Sequence, residues 1–123
     1  VWAEPGRYIC GSAVNVITSI IGKQMRDEKQ WYYIDDGIYG SFSGILFDHW
    51  DYDIISLKDE DNTYEKATIA GPSCDSLDIV KKEMYCPKLD EGDLLIALNA
   101  GAYSKVSATT FNGFSLPKTV ALE

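Results

Sequence analysis

Cys74-Asp75, a thiol beside a carboxylate, is the pair in this sequence best equipped for proton chemistry. A cysteine thiol with a pKa near ~8.5 can give up a proton at neutral pH, and nearby charge tunes it. The pair stands in Gly71-Pro72-Ser73-Cys74-Asp75-Ser76-Leu77-Asp78, directly after the apolar, β-rich run Ala67-Thr68-Ile69-Ala70. Gly71 and Pro72 break that run, so the reactive groups are set at the edge of a sheet. On its own such a segment reads as a turn with an incidental cysteine and a solvated acid.

Other short motifs give it company. Glu4-Pro5-Gly6-Arg7 joins a carboxylate to a guanidinium, whose planar fork suits a phosphate. Gly6 and Arg7 precede a periodic apolar stretch, which would leave backbone N–H groups free to meet an anion. Further along come Asp36-Gly37-Ile38-Tyr39-Gly40-Ser41-Phe42, Phe47-Asp48-His49, Gly101-Ala102-Tyr103 and Phe111-Asn112-Gly113-Phe114. Taken singly, Arg7 is a surface charge and Tyr103 and Phe111 are core aromatics. In this order and spacing, over nearly the whole chain, the set closely resembles the C-terminal part of pyridoxal-phosphate-dependent ornithine decarboxylases and their lysine/ornithine relatives.

That resemblance carries specific expectations. Pyridoxal phosphate serves as an electron sink when an α-amino acid loses CO₂, provided its pyridine nitrogen stays protonated and its phosphate is anchored. Glu4 matches the carboxylate beside that nitrogen. Gly6, Arg7 and Tyr103 match phosphate-binding positions. Asp48 and Asp75 match the pair that meets the distal ammonium of the substrate, and Cys74 matches the cysteine that returns a proton to Cα. Tyr39, Phe47 and Phe111 match positions around the substrate. The family's active sites lie at a homodimer interface, so Cys74 and Asp75 would serve the cofactor of the other subunit. The implied reaction is decarboxylation of L-ornithine, L-lysine or both to putrescine or cadaverine, in polyamine biosynthesis.

There are departures from the pattern. Phe47 stands where the eukaryotic ornithine enzymes more often carry Tyr, which removes a hydroxyl near the distal amine. Lys23, Lys81 and Lys105 sit in no context matching the Schiff-base lysine, so the chain alone is expected to be inactive. Diaminopimelate decarboxylase usually places Glu after the cysteine, and an arginine-directed relative would change Asp48. Asp at both 48 and 75 favours a small primary ammonium. A non-catalytic regulatory paralogue is the competing reading, and the retention of Glu4, Arg7, Cys74, Asp75 and Tyr103 speaks against it. Composition by itself would give only a β-rich structural or ligand-binding domain.

The elements that must position these residues are legible in outline. Ile9, Ala13, Val16, Ile17, Ile20 and Ile21 recur at three- and four-residue spacing and predict a helix from Tyr8 to about Lys23. Residues 23–30 read as a polar loop. Strands are expected at 31–34, 45–47, 52–57, 67–70 and 119–122, with residues 94–98 as a fully buried strand after the turn Asp90-Glu91-Gly92-Asp93. Residues 59–63 read as a charged, exposed connection, and Ile79–Met84 as a short helical turn. One helix and many short strands predict a mainly β (α+β) chain, a β-sandwich or Greek-key-like domain with a helical lead-in. The resemblance makes residues 1–28 the last segment of a (β/α)₈ barrel that should precede Val1, and residues 29–123 the C-terminal β domain. The chain opens without Met, and its first motif lies inside an element, so a piece of a larger enzyme is expected.

The chain has 123 residues, 46% hydrophobic and 12% aromatic, which suits one folded domain. A formal charge of −8 offers no basic stripe for nucleic acid or an anionic membrane. Acidity suits a cationic substrate, though it also simply keeps a surface soluble. Cys10, Cys74 and Cys86 show no CxxC pairing, and with one histidine they argue against a zinc or other metal site. Their odd number and spacing suggest a reducing, cytoplasmic setting. No apolar run approaches the roughly 20 residues needed to span a bilayer.

Overall fold

The computed structural model describes residues 1–58 and 63–122. The chain opens with a short helix α1 (Gly6–Cys10) and a 3₁₀ turn at Gly11–Ala13. It continues as strands β1 (Val16–Arg26) and β2 (Lys29–Ile34), helix α2 (Gly44–Asp48), then β3 (Asp53–Ser56), β4 (Tyr64–Ala70), β5 (Ile79–Pro87) and β6 (Leu94–Leu98). Further 3₁₀ turns follow at Lys105–Ser107 and Phe111–Gly113. No described helix is long and apolar enough to cross a membrane.

The strands form one six-stranded sheet in the order β3-β6-β1-β2-β4-β5. All neighbours are antiparallel except β2 and β4, which run parallel with Gln30 opposite Ala67. β1 holds the sheet together by changing partners along its length. Val16–Ser19 pairs with β6, and Ile20–Arg26 pairs with β2. The sheet curls until its edges approach, and Lys81 of β5 donates to the Tyr52 carbonyl at 2.8 Å, just before β3. The result is a mainly β domain with a nearly closed sheet.

Its interior is filled by Tyr32, Ile34, Ile38, Phe42, Tyr52 and Leu95, each at most 1% exposed. The Phe42 and Tyr52 rings meet edge to face at 5.2 Å, the arrangement favoured by aromatic quadrupoles. Burying each such side chain stabilises the fold by about 1.5–3 kcal/mol. Tyr32 also carries a polar link: its hydroxyl donates to Glu65 and accepts from the Leu89 N–H.

The helix expected from Tyr8 to Lys23 is not formed. Only Gly6–Cys10 is α-helical, and Val16 begins a strand. Ile20 faces the core while Ile17 and Ile21 are exposed on the outer face, so the apolar spacing spans both sides of a strand. A register shift between Ile20 and Gly22 breaks the simple alternation. β-branched residues favour that extended backbone over a helix. The loop expected at 23–30 is instead the β1–β2 hairpin, turning at Asp27 and Glu28, and the boundary expected at 28/29 falls inside it.

Ile79–Met84 is likewise strand rather than helical turn. Two residues of β5, Lys82 and Glu83, oppose one of β4, Thr68, between the Met84–Ala67 and Lys81–Ile69 pairs, with Glu83 at φ 52°. Lys82, which regular alternation would bury with Val80 and Met84, is exposed at the bulge, so the buried pair stands alone at i, i+4, the spacing of a helix. Ile45–Phe47 lies in helix α2, and residues 119–122 form no strand, with Val120 and Leu122 exposed. β6 is buried on alternate residues rather than throughout. Strands at 31–34 and 67–70, the core of that at 52–57 and the 90–93 turn stand as expected. Of the expected 59–63 connection, residues 59–62 lie outside those described.

Candidate active site

The Glu-Pro-Gly-Arg segment turns directly into α1. The Gly6 N–H donates to the Glu4 carbonyl at 2.8 Å, so the amide expected to be free for an anion is already engaged. The far end of α1 is locked to the exit of β6. Gly101 N–H donates to Gly11 O and Ala100 N–H to Val14 O, both at 2.8 Å. A Cβ on Gly101 would sit 1.9 Å from the Cys10 carbonyl oxygen, so only glycine permits this junction. The close approach carries Tyr103 over α1, with its hydroxyl 3.2 Å from where a Cβ on Gly6 would project.

Arg7 is the centre of this group. Its Nη2 donates to Asp48 Oδ2 at 2.6 Å. Its guanidinium carbon lies 3.8 Å from the centroid of the Trp50 ring and 5.3 Å from that of Tyr103. Nη1 is buried without a hydrogen-bond partner among the described residues. Buried donors are normally satisfied, and an open guanidinium nitrogen suits a phosphate oxygen. Gly6, Arg7 and Tyr103 are therefore brought together and fit the phosphate of pyridoxal phosphate. Glu4 stands exposed just upstream, and Phe47 is 71% exposed on α2.

A second group forms where β4 leaves the sheet. Asp78, only 2% exposed, accepts from the backbone N–H of Ser73 and Ile38, each at 3.0 Å, and from the Ser73 hydroxyl. It thereby ties the Cys-Asp loop to the Asp36–Ser41 turn. Cys74 adopts φ 58° and is exposed. Asp75 accepts from Leu77 N–H at 2.7 Å, closing the loop, and from the Tyr39 hydroxyl at 3.1 Å. Burial, and then the Asp75 hydrogen bond and charge, raise the Tyr39 hydroxyl above the usual phenol pKa, so it remains a donor. The Tyr39 ring packs on Phe111 at 4.3 Å, and Asn112 Nδ2 donates to the Ser73 carbonyl at 2.8 Å.

Tyr39, Cys74, Asp75 and Phe111 are thus assembled at one place, and Gly6, Arg7, Asp48 and Tyr103 at another. Among the described residues, no hydrogen bond or ion pair joins the two groups. Sequence reasoning gave no role to Asp78 or Trp50. For Asp78 the chain order gives no signal: Gly37 and Gly71, where an added Cβ would strike its carboxylate, are brought to it by the fold. For Trp50 the signal was an aromatic residue directly following Phe47-Asp48-His49.

Residues 7–101 match the C-terminal sheet domain of the pyridoxal-dependent decarboxylases of ornithine, diaminopimelate and arginine. The chain belongs to that family. It is 46% identical to the lysine/ornithine decarboxylase of Selenomonas ruminantium over 123 residues, which is 100% of this chain and 31% of that protein. It is 41% identical to the ornithine decarboxylase of Caenorhabditis elegans, over 94% of this chain and 31% of that one. Among solved structures, the lysine/ornithine decarboxylase of Vibrio vulnificus complexed with cadaverine superposes with a TM-score of 0.92 at 44% identity. That match covers 99% of this chain and 33% of the Vibrio chain. The decarboxylase sheet domain described here therefore spans about a third of the length of the relatives it matches.

Proposed function

We propose that this chain is the C-terminal part of a pyridoxal-phosphate-dependent decarboxylase that converts L-ornithine, L-lysine or both to putrescine or cadaverine in polyamine biosynthesis. The observation that carries the reading is Arg7. Its guanidinium is held by Trp50 on a face and by Asp48 at an edge, and its buried Nη1 has no acceptor among the described residues. When bound, the cofactor supplies an electron sink for the charge left at Cα as CO₂ departs.

The chain's own residues take the following parts. Arg7 Nη1 and the Tyr103 hydroxyl hold the phosphate, with Gly6 leaving room for it, and the Glu4 carboxylate keeps the pyridine nitrogen protonated. Asp48 and Asp75 meet the distal ammonium, where two carboxylates offset its desolvation. Cys74 delivers a proton to Cα from an exposed, sharply turned loop. Tyr39, Phe47 and Phe111 border the substrate, and Tyr39 also orients Asp75 through their hydrogen bond.

No hydrogen bond or ion pair joins the Cys74 group to the Arg7 group among the described residues, which supports a homodimer with shared sites, and the odd number of cysteines without framework spacing suits a cytoplasmic setting. In this arrangement Cys74 and Asp75 complete the site of the other subunit. A barrel domain formed by upstream residues supplies the Schiff-base lysine. The decisive experiment measures CO₂ release from L-ornithine and L-lysine, with added pyridoxal phosphate, by the full-length product and by this 123-residue chain. Activity in the long form alone supports the reading, and the faster substrate names the specificity. Silence in both, without cofactor absorbance in the long form, favours the non-catalytic regulatory paralogue.

A further inference from the structure

Helix α2 ends in an unusual way for so short an element. His49 takes the left-handed conformation, φ 49° and ψ 33°, and the chain doubles back so that Trp50 N–H donates to Gly44 O at 3.1 Å. The reversal requires Gly44, where a Cβ would lie 2.7 Å from the Tyr52 hydroxyl and 3.4 Å from Trp50 Cβ. Its effect is to send two consecutive arms of the chain to one target. Asp48 meets the edge of the Arg7 guanidinium at 2.6 Å, and Trp50 covers its face at 3.8 Å from ring centroid to Cζ.

An arginine side chain has many rotamers, and freezing them costs free energy on binding unless they are frozen beforehand. Cation–π contact and the carboxylate fix both the plane of the guanidinium and its rotation within that plane. With Nη2 taken by Asp48 and one face taken by half-buried Trp50, the orientation of Nη1 is decided before any ligand arrives. We infer that Trp50 is a positioning residue: it pre-orients Arg7 for the cofactor phosphate and so sets cofactor affinity. This rests on the reading that Arg7 faces that phosphate.

The test is a cofactor titration of the full-length protein, followed by absorbance, for wild type, Trp50→Leu, Trp50→Phe, Arg7→Gln and the Trp50→Leu/Arg7→Gln pair. Trp50→Leu should raise the apparent Kd for pyridoxal phosphate about tenfold, and Trp50→Phe should bring it back to within about threefold of wild type. In the Arg7→Gln background, Trp50→Leu should cost nothing further, because the group it positions is gone. Equal losses from Trp50→Leu in both backgrounds would make it a packing residue and overturn the inference. So would unchanged affinity in Trp50→Leu, provided wild type binds. A wild type that binds no cofactor would overturn the decarboxylase reading itself, and this inference with it.

Discussion

Arg7 Nη2 and Asp48 Oδ2 stand 2.6 Å apart, joining a residue matched to the cofactor phosphate with one matched to the substrate's distal amine. The sequence alone treats the two as independent, and so predicts that Asp48→Ala harms substrate affinity far more than cofactor affinity. The ion pair changes that expectation. Asp48 keeps Oδ1 for an ammonium while Oδ2 holds Arg7, so removing it should raise the KM for L-ornithine or L-lysine and also weaken the cofactor. With the Asp48 side chain 58% exposed, the cofactor loss should be modest, about two- to fivefold. Parallel KM and cofactor Kd measurements on Asp48→Ala check this; an unchanged Kd would show that the pair does not serve the phosphate site.

Among the described residues Cys74 makes no hydrogen bond to Arg7 or Tyr103, and its loop is held by Asp78 and Asp75, the thiol reaching only the Pro72 carbonyl at 3.9 Å. Cys74→Ala should leave cofactor affinity at the wild-type level. Turnover should fall by about 100-fold, the usual scale for losing a positioned proton donor, with part of the flux diverted from the diamine. Chromatographic analysis of products from a single incubation reads both effects. Normal turnover to diamine alone would remove Cys74 from the proton path.

Asp78 is a buried carboxylate that answers three donors on two loops. Asp78→Ala would leave the Ser73 and Ile38 N–H groups unsatisfied, at about 1–3 kcal/mol each. The expected loss is roughly 3 kcal/mol or more, read as a lower urea midpoint at constant slope. Because the same contacts hold the Cys74 loop, turnover should fall even where the protein remains folded.

Acid should weaken a different corner of the sheet. Lys23 first, and then Lys58, pull the Asp90 carboxyl down to about 2, and Lys58 also donates to Asp93 at 2.8 Å. Burial alone would raise the Asp93 carboxyl, but Lys58 and the Asp90 N–H bring it below the ordinary range. A carboxyl whose folded pKa lies under its unfolded value of roughly 4 stabilises the fold above that pH and ceases to do so as pH falls. The urea midpoint should therefore drop between about pH 4 and pH 2. Asp90→Asn should flatten that slope, and 1 M salt should do so in part, since these charges face solvent. An acid limb unchanged by Asp90→Asn would place the sensitivity elsewhere, for instance at Asp35. Burial would raise the Asp35 carboxyl, but hydrogen bonds from Ser19 and Thr18 hold it down.

What the sequence revealed, and what it hid, follows from how each signal arises. Motifs such as Glu4–Arg7, Cys74-Asp75 and Gly101–Tyr103 are local, and their order along the chain was enough to indicate the family. Apolar spacing is a weaker guide where a strand is bulged. At the β5 bulge Lys82 is exposed, which leaves Val80 and Met84 at helical spacing, and in β1 the exposed Ile17 and Ile21 add outer-face residues that mimic a buried stripe. The partners of Arg7 were illegible for another reason. Asp48 and Trp50 reach it only because His49 reverses the chain, and that reversal leaves no periodic trace.

The place of β6 in the sheet has a consequence for synthesis. It is the last of the described strands in chain order, yet it sits between β3 and β1 and leads directly into the Gly101–Gly11 junction that brings Tyr103 over Gly6. On the ribosome, Arg7 emerges before every described strand of the sheet, and the Tyr103 ring that lies beside it arrives only after β6. Pairings between such distant stretches close slowly. A nascent chain therefore lacks the assembled Gly6, Arg7 and Tyr103 group, and under the proposed function cofactor capture would mark a polypeptide that has already completed its sheet.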